Sequence, residues 1–429
     1  MGGFFGAQFS FTMGLAIVIG IIISALIFYN TYFGIFVIVF STPILPTKII
    51  LFICAICAVS FCLKISNENI KINFKETEFL IIVFLFLTLI SSVTSFFKLN
   101  SIKILGMRII LISSYFILAN LIKNKNLLLN VLKTITFSAL LVSLYGILQY
   151  FLKIENSNSW LDKEMFKNIS VRVYSTLSNP NVLGEYLNLV FFIPICMFFI
   201  EKNKLMKLFY ISSAVLIFFA LILTFSRGSW VGLLISFLIC VLILDKRILI
   251  ILTVLFIIST LFIPNFIFER FLSIGNISDT STLYRVYIWF GTFKMLKNFW
   301  LFGIGPSEKN FNFVYSNYQY NGITAPHSHN TFLQIFVESG IVNLIIFIIL
   351  LLFFFRKIII SSKQSCIKSQ HFLINLAIGE SVLAFCLNGL FDDAFYNHKV
   401  STMFWIIIAI GLANCSIIEN KTLNGGEFE

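Results

Sequence analysis

Residues 325–355 read APHSHNTFLQIFVESGIVNLIIFIILLLFFF, and the reading of this stretch decides the fold. From Asn330 onward it supplies the roughly 20 predominantly apolar residues that a helix needs to cross a bilayer. Its opening gathers two histidines, an asparagine, a glutamine and a glutamate at the mouth of that same helix. Comparable runs recur at 8–28, 30–43, 47–63, 77–97, 102–122, 128–152, 182–201, 206–224, 228–244, 246–264, 370–389 and 399–418. The chain of 429 residues is 59% hydrophobic and 12% charged, with mean hydropathy +0.96, far too apolar for a soluble domain of this length. The fold class is all-α: a polytopic integral membrane helical bundle with 12–13 transmembrane helices, read as a single integral membrane domain over 1–429. Residues 30–43 are short for a span and end in Ser-Thr-Pro, which leaves the count between 12 and 13. The run from Phe11 reads as an uncleaved first span. Short alternating segments of the β-barrel kind do not occur, nor do heptads or repeats of 20–50 residues.

The formal net charge of +12 does not point to nucleic acid. Basic residues concentrate in alternate short loops, around Lys64, Lys123, Lys202, Arg247 and Arg356, and the positive-inside rule makes that face cytoplasmic. The segments 153–181 and 265–329 then fall outside, with the Ser226-Arg227-Gly228 turn and the Phe391-Asp392-Asp393 turn. The eight cysteines lie in spans or cytoplasmic loops; Cys54 and Cys57 form a CxxC inside an apolar run and read as packing, so no disulfide is expected. Abundant Phe, Ile, Lys and Asn point to an AT-rich genome.

Four constellations on the outer face carry possible chemistry. In the opening stretch, Asn330, Gln334 and Glu338 recur every four residues and share one helix face. Glu338 lies about 12 Å down the helix, where an ionisable group must face protein or water. The alternative is that Asn330 caps the helix and Glu338 makes a buried structural pair. In TFSRGSWVG, Thr224 to Gly232, Arg227 breaks the charge rule in a tight turn, where its fork suits a phosphate or carboxylate; Ser226 and the next helix's N-terminus can add to an anion site, and headgroup snorkelling is the other reading. In RVYSTLSNPNVLGEYL, Arg172 to Leu187, Asn179-Pro180-Asn181 reads as a helix-starting turn, with Arg172 and Glu185 able to reach the same cavity. The stretch Arg285 to Phe311 is amphipathic, carries aromatics and lysines, and suits the membrane surface. Within the spans, Arg108 and Glu380 are candidates for an interhelical pair. His327-x-His329 without nearby cysteines is weak support for a metal, and none is expected.

In order, Asn179-Pro180-Asn181, Ser226-Arg227-Gly228, Arg285 with Trp289 and Gly303-Ile304-Gly305-Pro306, and His329-Asn330 with Glu338-x-Gly340 resemble the O-antigen ligase and O-antigen (Wzy-type) polymerase family of bacterial membrane glycosyltransferases. The similarity runs over roughly 170–355, including the larger external loop 265–329 before the third-last span. The resemblance implies a GT-C-like bundle in the bacterial cytoplasmic membrane with its active site facing outside. It implies an undecaprenyl-diphosphate-linked glycan as donor, no cofactor or metal, and a flippase and chain-length regulator of the same pathway as partners. By the same resemblance, Arg227, Arg285 and, on a looser alignment, Arg172 hold the diphosphate; His329 activates the acceptor hydroxyl; Glu338 orients or assists it. Asn179, Asn181, Ser226, Asn330 and Gln334 support the site. The expected reaction is polymerisation of lipid-linked repeat units into a cell-surface polysaccharide, favoured if the AT-rich composition means a Gram-positive cell, which has no lipopolysaccharide core. The alternatives are a ligase passing the glycan to a lipid core, wall or protein, and a transporter such as one for inorganic carbon. A transporter usually builds its site near the bilayer midplane, and these residues gather at the edge.

Overall fold

The computed structural model describes residues 2–68, 72, 74–154, 171–250, 264–275 and 279–423, and it is helical with no strand among them. Ten helices there are long and apolar enough to cross a membrane. They are α3 (Thr47–Glu68), α4 (Glu76–Thr94), α5 (Lys98–Leu121), α6 (Lys125–Phe151), the consecutive α7 (Pro180–Val190) and α8 (Phe192–Ile200), α9 (Lys204–Leu223), α10 (Arg227–Leu244), α14 (Thr331–Gln364), α15 (Gln370–Asn388) and α16 (His398–Leu423). Each corresponds to an expected span. The first two expected spans appear within α1 (Gly2–Tyr29), as an apolar helix over Met13–Tyr29, and as α2 (Thr31–Ser41), both shorter than the rest. The expected span 246–264 falls mostly outside the described residues, as does 155–170 of the first long loop. Three further helices, α11 (Asn265–Leu272), α12 (Thr280–Phe299) and α13 (Glu308–Tyr315), make up the larger loop.

The layering shows in how much of each helix its neighbours cover. The window of α16 is 89% buried and that of the α7–α8 pair 78%, whereas α3, α9, α10 and α14 bury a third. A helix shielded by its neighbours is central and can carry polar groups such as Asn188 and Asn414; one that exposes most of its apolar surface is peripheral and faces lipid. Close approach is made by glycine where it matters: a Cβ on Gly232 of α10 would sit 2.6 Å from the Ala384 carbonyl of α15.

Gly340 sets the most consequential local feature. It interrupts α14 with φ +82°, a left-handed value that glycine adopts without penalty. The break leaves carbonyls without helical partners, and the turn after α12 fills the gap. Ile304 and Gly305 donate their N–H groups to the carbonyls of Val337 and Glu338 at 2.8 and 2.9 Å, and Ile341 donates to the Trp300 carbonyl at 2.8 Å. The Ser91 hydroxyl of α4 donates to the Glu338 carbonyl as well. The paired motifs Gly303-Ile304-Gly305-Pro306 and Glu338-x-Gly340 are therefore two halves of one joint, which docks the loop helices onto the bundle.

Candidate active site

The polar ends of six segments meet at one end of the bundle. Asn179 caps α7 by accepting from Asn181 N at 2.8 Å, with Pro180 in the first turn as its fixed φ favours. Asn330 caps α14, accepting from Leu333 N at 2.9 Å, and its amide donates to the Leu390 carbonyl at 2.9 Å. That second bond, with Thr331 N donating to the Gly389 carbonyl at 2.7 Å, fastens the start of α14 to the turn between α15 and α16. Ser226 stands at the start of α10 and accepts from the Ser229 hydroxyl at 2.9 Å.

These segments enclose a cavity of about 600 Å³. Arg172, Arg227, Arg270, Arg285 and His329 line it, together with Asn179, Asn181, Ser226, Tyr284, Tyr287, Asp279 and Asp392. Four arginines against two aspartates leave two positive charges in a partly enclosed space, where charge is screened far less than in water. Arg172 is buried and bonded to the Thr224 carbonyl at 2.9 Å and to Asn181 Oδ1 at 2.7 Å. Burial, with repulsion from Arg285 and Arg227, pushes its guanidinium down to about 10. Burial and the neighbouring Arg227 and Arg172 push Arg270 down to about 9. Both remain cationic near neutrality.

At the inner wall, Asp392 gathers the histidine and the amide. His329 Nδ1 lies 2.9 Å from its Oδ1, Asn181 Nδ2 donates to Oδ2 at 2.9 Å, and Arg285 Nη2 stands 3.6 Å from Oδ2. Burial pushes this carboxyl up, but His329, then Arg285 and His327, pull it well below the usual carboxylate range. An ionised Asp392 can only accept, so Nδ1 carries a proton, and in the neutral ring the lone pair is on Nε2. His329 sits at φ +50°, and His327 props it there: the His329 N–H donates to His327 Nδ1 at 3.2 Å and the two rings lie 4.1 Å apart. Burial pushes His327 down to about 3, so it is neutral and acts as an acceptor.

The structure thus brings Arg172, Arg227, Arg285, Asn179, Asn181, Ser226 and His329 to one cavity, and it does not bring Asn330, Gln334 or Glu338 to its wall. The Glu338 side chain points to the other side of α14, where Arg108 Nη1 holds it at 2.7 Å. This corrects the pairing of Arg108 with Glu380, whose Oε2 is buried with no hydrogen-bond partner. The carboxylate against His329 is Asp392 and not Glu338, because Glu338, eight residues past the Asn330 cap and about 12 Å down α14, is too deep to reach a ring in the loop above it. A link survives through Gln334, which donates to Glu338 Oε1 at 3.1 Å and accepts from Ser328 N at 2.8 Å, between the two histidines. Glu185 is buried in α7 and is not part of the cavity wall. Asp392 was placed on the outer face in a short acidic turn but given no role, and Arg270, Asp279 and Tyr284 escaped the sequence reading.

His327, His329 and Asp392 each offer a ligand atom within 4.8 Å of one another. His329 Nδ1 and Asp392 Oδ1 are already engaged with each other, and the four arginines oppose a divalent cation there. No curated protein matches the chain. The family model described as O-antigen ligase matches residues 212–348, which include Arg227, Arg270, Asp279, Arg285 and His329.

Proposed function

We propose that the protein transfers a glycan from a polyprenyl diphosphate to an acceptor hydroxyl at the outer membrane face. The observation that carries this reading is the joining of a four-arginine cavity to a histidine held by an aspartate. A diphosphate leaving group needs fixed positive charge that strengthens as its own charge develops, and arginine forks supply it without a metal. Arg172, Arg227 and Arg285 bind the diphosphate. His329 Nε2 takes the proton of the acceptor hydroxyl as it attacks the anomeric carbon, and the bond from that carbon to the phosphate oxygen breaks. Asp392 keeps the ring in the productive tautomer and stabilises the imidazolium that results. Asn181 orients Asp392 and Arg172 together, while Asn179, Ser226 and Asn330 set the helix ends. Glu338 acts at one remove, holding the His327–His329 turn through Gln334. The lipid tail lies in the bilayer and the sugars outside, with a flippase and a chain-length regulator as pathway partners.

Polymerisation of repeat units is the specific reaction proposed, on the composition argument above. Ligation is the second reading, favoured by the description of the matching family. A transporter is disfavoured because the cavity opens at the bundle end and not at its middle. The test is the length distribution of the surface glycan and of its lipid-linked pool in cells carrying wild type, Arg227→Ala or His329→Ala at matched membrane levels. Loss of long chains with single repeat units remaining supports polymerisation. Long lipid-linked chains that never reach the final acceptor support ligation. Unchanged glycans in both variants sink the site.

A further inference from the structure

Beside the His329 wall lies a second cluster, built around an aspartate that the transfer reaction does not use. Asp279 is buried at the start of α12. Its Oδ1 accepts from Ser281 N at 3.0 Å, Thr282 N at 3.2 Å and Arg227 Nη2 at 2.6 Å. Its Oδ2 lies 3.8 Å from Arg270 Nη1, beyond hydrogen-bond reach, and accepts no hydrogen bond. Arg227 is held further by the Ser273 carbonyl at 3.1 Å and by the Ser281 and Thr282 hydroxyls. A carboxylate thus occupies a position where two arginines, two hydroxyls and a helix N-terminus converge, and it satisfies that position incompletely.

We propose that Asp279 is a built-in stand-in for a phosphate group: it holds Arg227 and Arg270 until an incoming diphosphate displaces it, and Arg270 then becomes a fourth ligand of that diphosphate. This rests on the diphosphate reading above. The geometry favours exchange for two reasons. One carboxylate spans Arg227 at 2.6 Å and Arg270 only at 3.8 Å, whereas a diphosphate has oxygens enough for both. Removing the anion without replacement would leave Arg227 and Arg270 facing each other, so the latch opens only when a better anion arrives. The binding-competent state is accordingly gated by the ligand, and the cations stay compensated while the cavity is empty.

The test measures binding of inorganic pyrophosphate, and separately of undecaprenyl diphosphate, to the full-length protein in nanodiscs by calorimetry. Asp279→Asn keeps the amide oxygen that caps the helix and removes the charge, since asparagine caps as well as aspartate. It is expected to tighten pyrophosphate binding about tenfold, the gain from abolishing a closed state populated nine times in ten. Arg270→Gln is expected to weaken it about tenfold, the loss of one charge-assisted contact. Wild-type binding with Asp279→Asn equal to or weaker than wild type overturns the latch and makes Asp279 a simple organiser of the arginines. Unchanged affinity in Arg270→Gln also overturns it, and this variant decides the matter should Asp279→Asn fail to fold. If wild type and both variants bind neither ligand, the diphosphate reading itself falls, and the latch with it.

Discussion

Replacing Asp392 by asparagine tests the chemistry at its centre with little change in shape. The carboxylate oxygen stands 2.9 Å from His329 Nδ1, and both side chains are mostly shielded from solvent. A charge pair separated by about 4 Å at an effective dielectric of 20 is worth ~4 kcal/mol. That sets the upper limit on stabilisation of the imidazolium in the transition state. Part of it is offset in the wild type, because Arg285 lies 3.6 Å from the other oxygen and shares the carboxylate's charge. An asparagine can also turn its amide toward Nδ1, which would place the ring proton on Nε2 and abolish the base. A fall in kcat of about 10²–10³ follows, within the range usual for general-base residues. Donor binding should not weaken, since the cavity becomes more positive. The assay is glycan transfer from polyprenyl-diphosphate donor in proteoliposomes, with donor affinity measured in parallel. A variant that keeps activity within a few-fold of wild type, or that loses it entirely through donor affinity, refutes the role given to Asp392.

Gly340→Ala forces a left-handed residue and drives a methyl into the Leu301 carbonyl, so it should cost at least about 2 kcal/mol and lower the detergent melting temperature markedly; an unchanged melt would mean the joint does not bind the loop to the bundle. Arg108→Met or Glu338→Leu alone should each cost about 3–5 kcal/mol by stranding a buried charge, and the double variant should cost much less than their sum, measured by a double-mutant cycle. Because His327 is held near 3 when folded and titrates near 6.5 when unfolded, its contribution is complete above pH 6.5 and is lost as pH falls toward 3. The melting temperature of wild type should therefore drop between pH 7 and 5 more steeply than that of His327→Gln, and parallel curves would contradict this.

Much of the bundle was legible because a bilayer imposes length and hydropathy on each span, so every one of the ten long apolar helices was visible as a run of residues. The cationic half of the cavity was legible for a related reason: Arg227 and Arg285 stand where greasy or interfacial residues are the rule. What the chain concealed depends on contacts between distant segments. Asp392 meets His329 across 63 residues and Asn181 across 211, and no local pattern marks either approach. Glu338 misled because helical periodicity placed it correctly below Asn330 and Gln334, while its partner, Arg108, comes from another helix. The break at Gly340 was hidden inside an apolar run whose composition favours an uninterrupted helix, and contacts with distant segments, the Glu338 carbonyl at Gly303 and the Ser95 side chain at Gly305, explain why those two residues are glycine.

The most direct measurement reconstitutes the purified protein with a labelled undecaprenyl-diphosphate oligosaccharide and follows the label in the presence of EDTA. The account predicts that the glycan leaves the lipid for an acceptor sugar, releasing polyprenyl diphosphate, with no nucleotide or divalent metal added, and that Arg285→Ala and His329→Ala abolish the transfer. A glycan that stays on its lipid with the wild-type protein, or a transfer that persists in both variants, would contradict it.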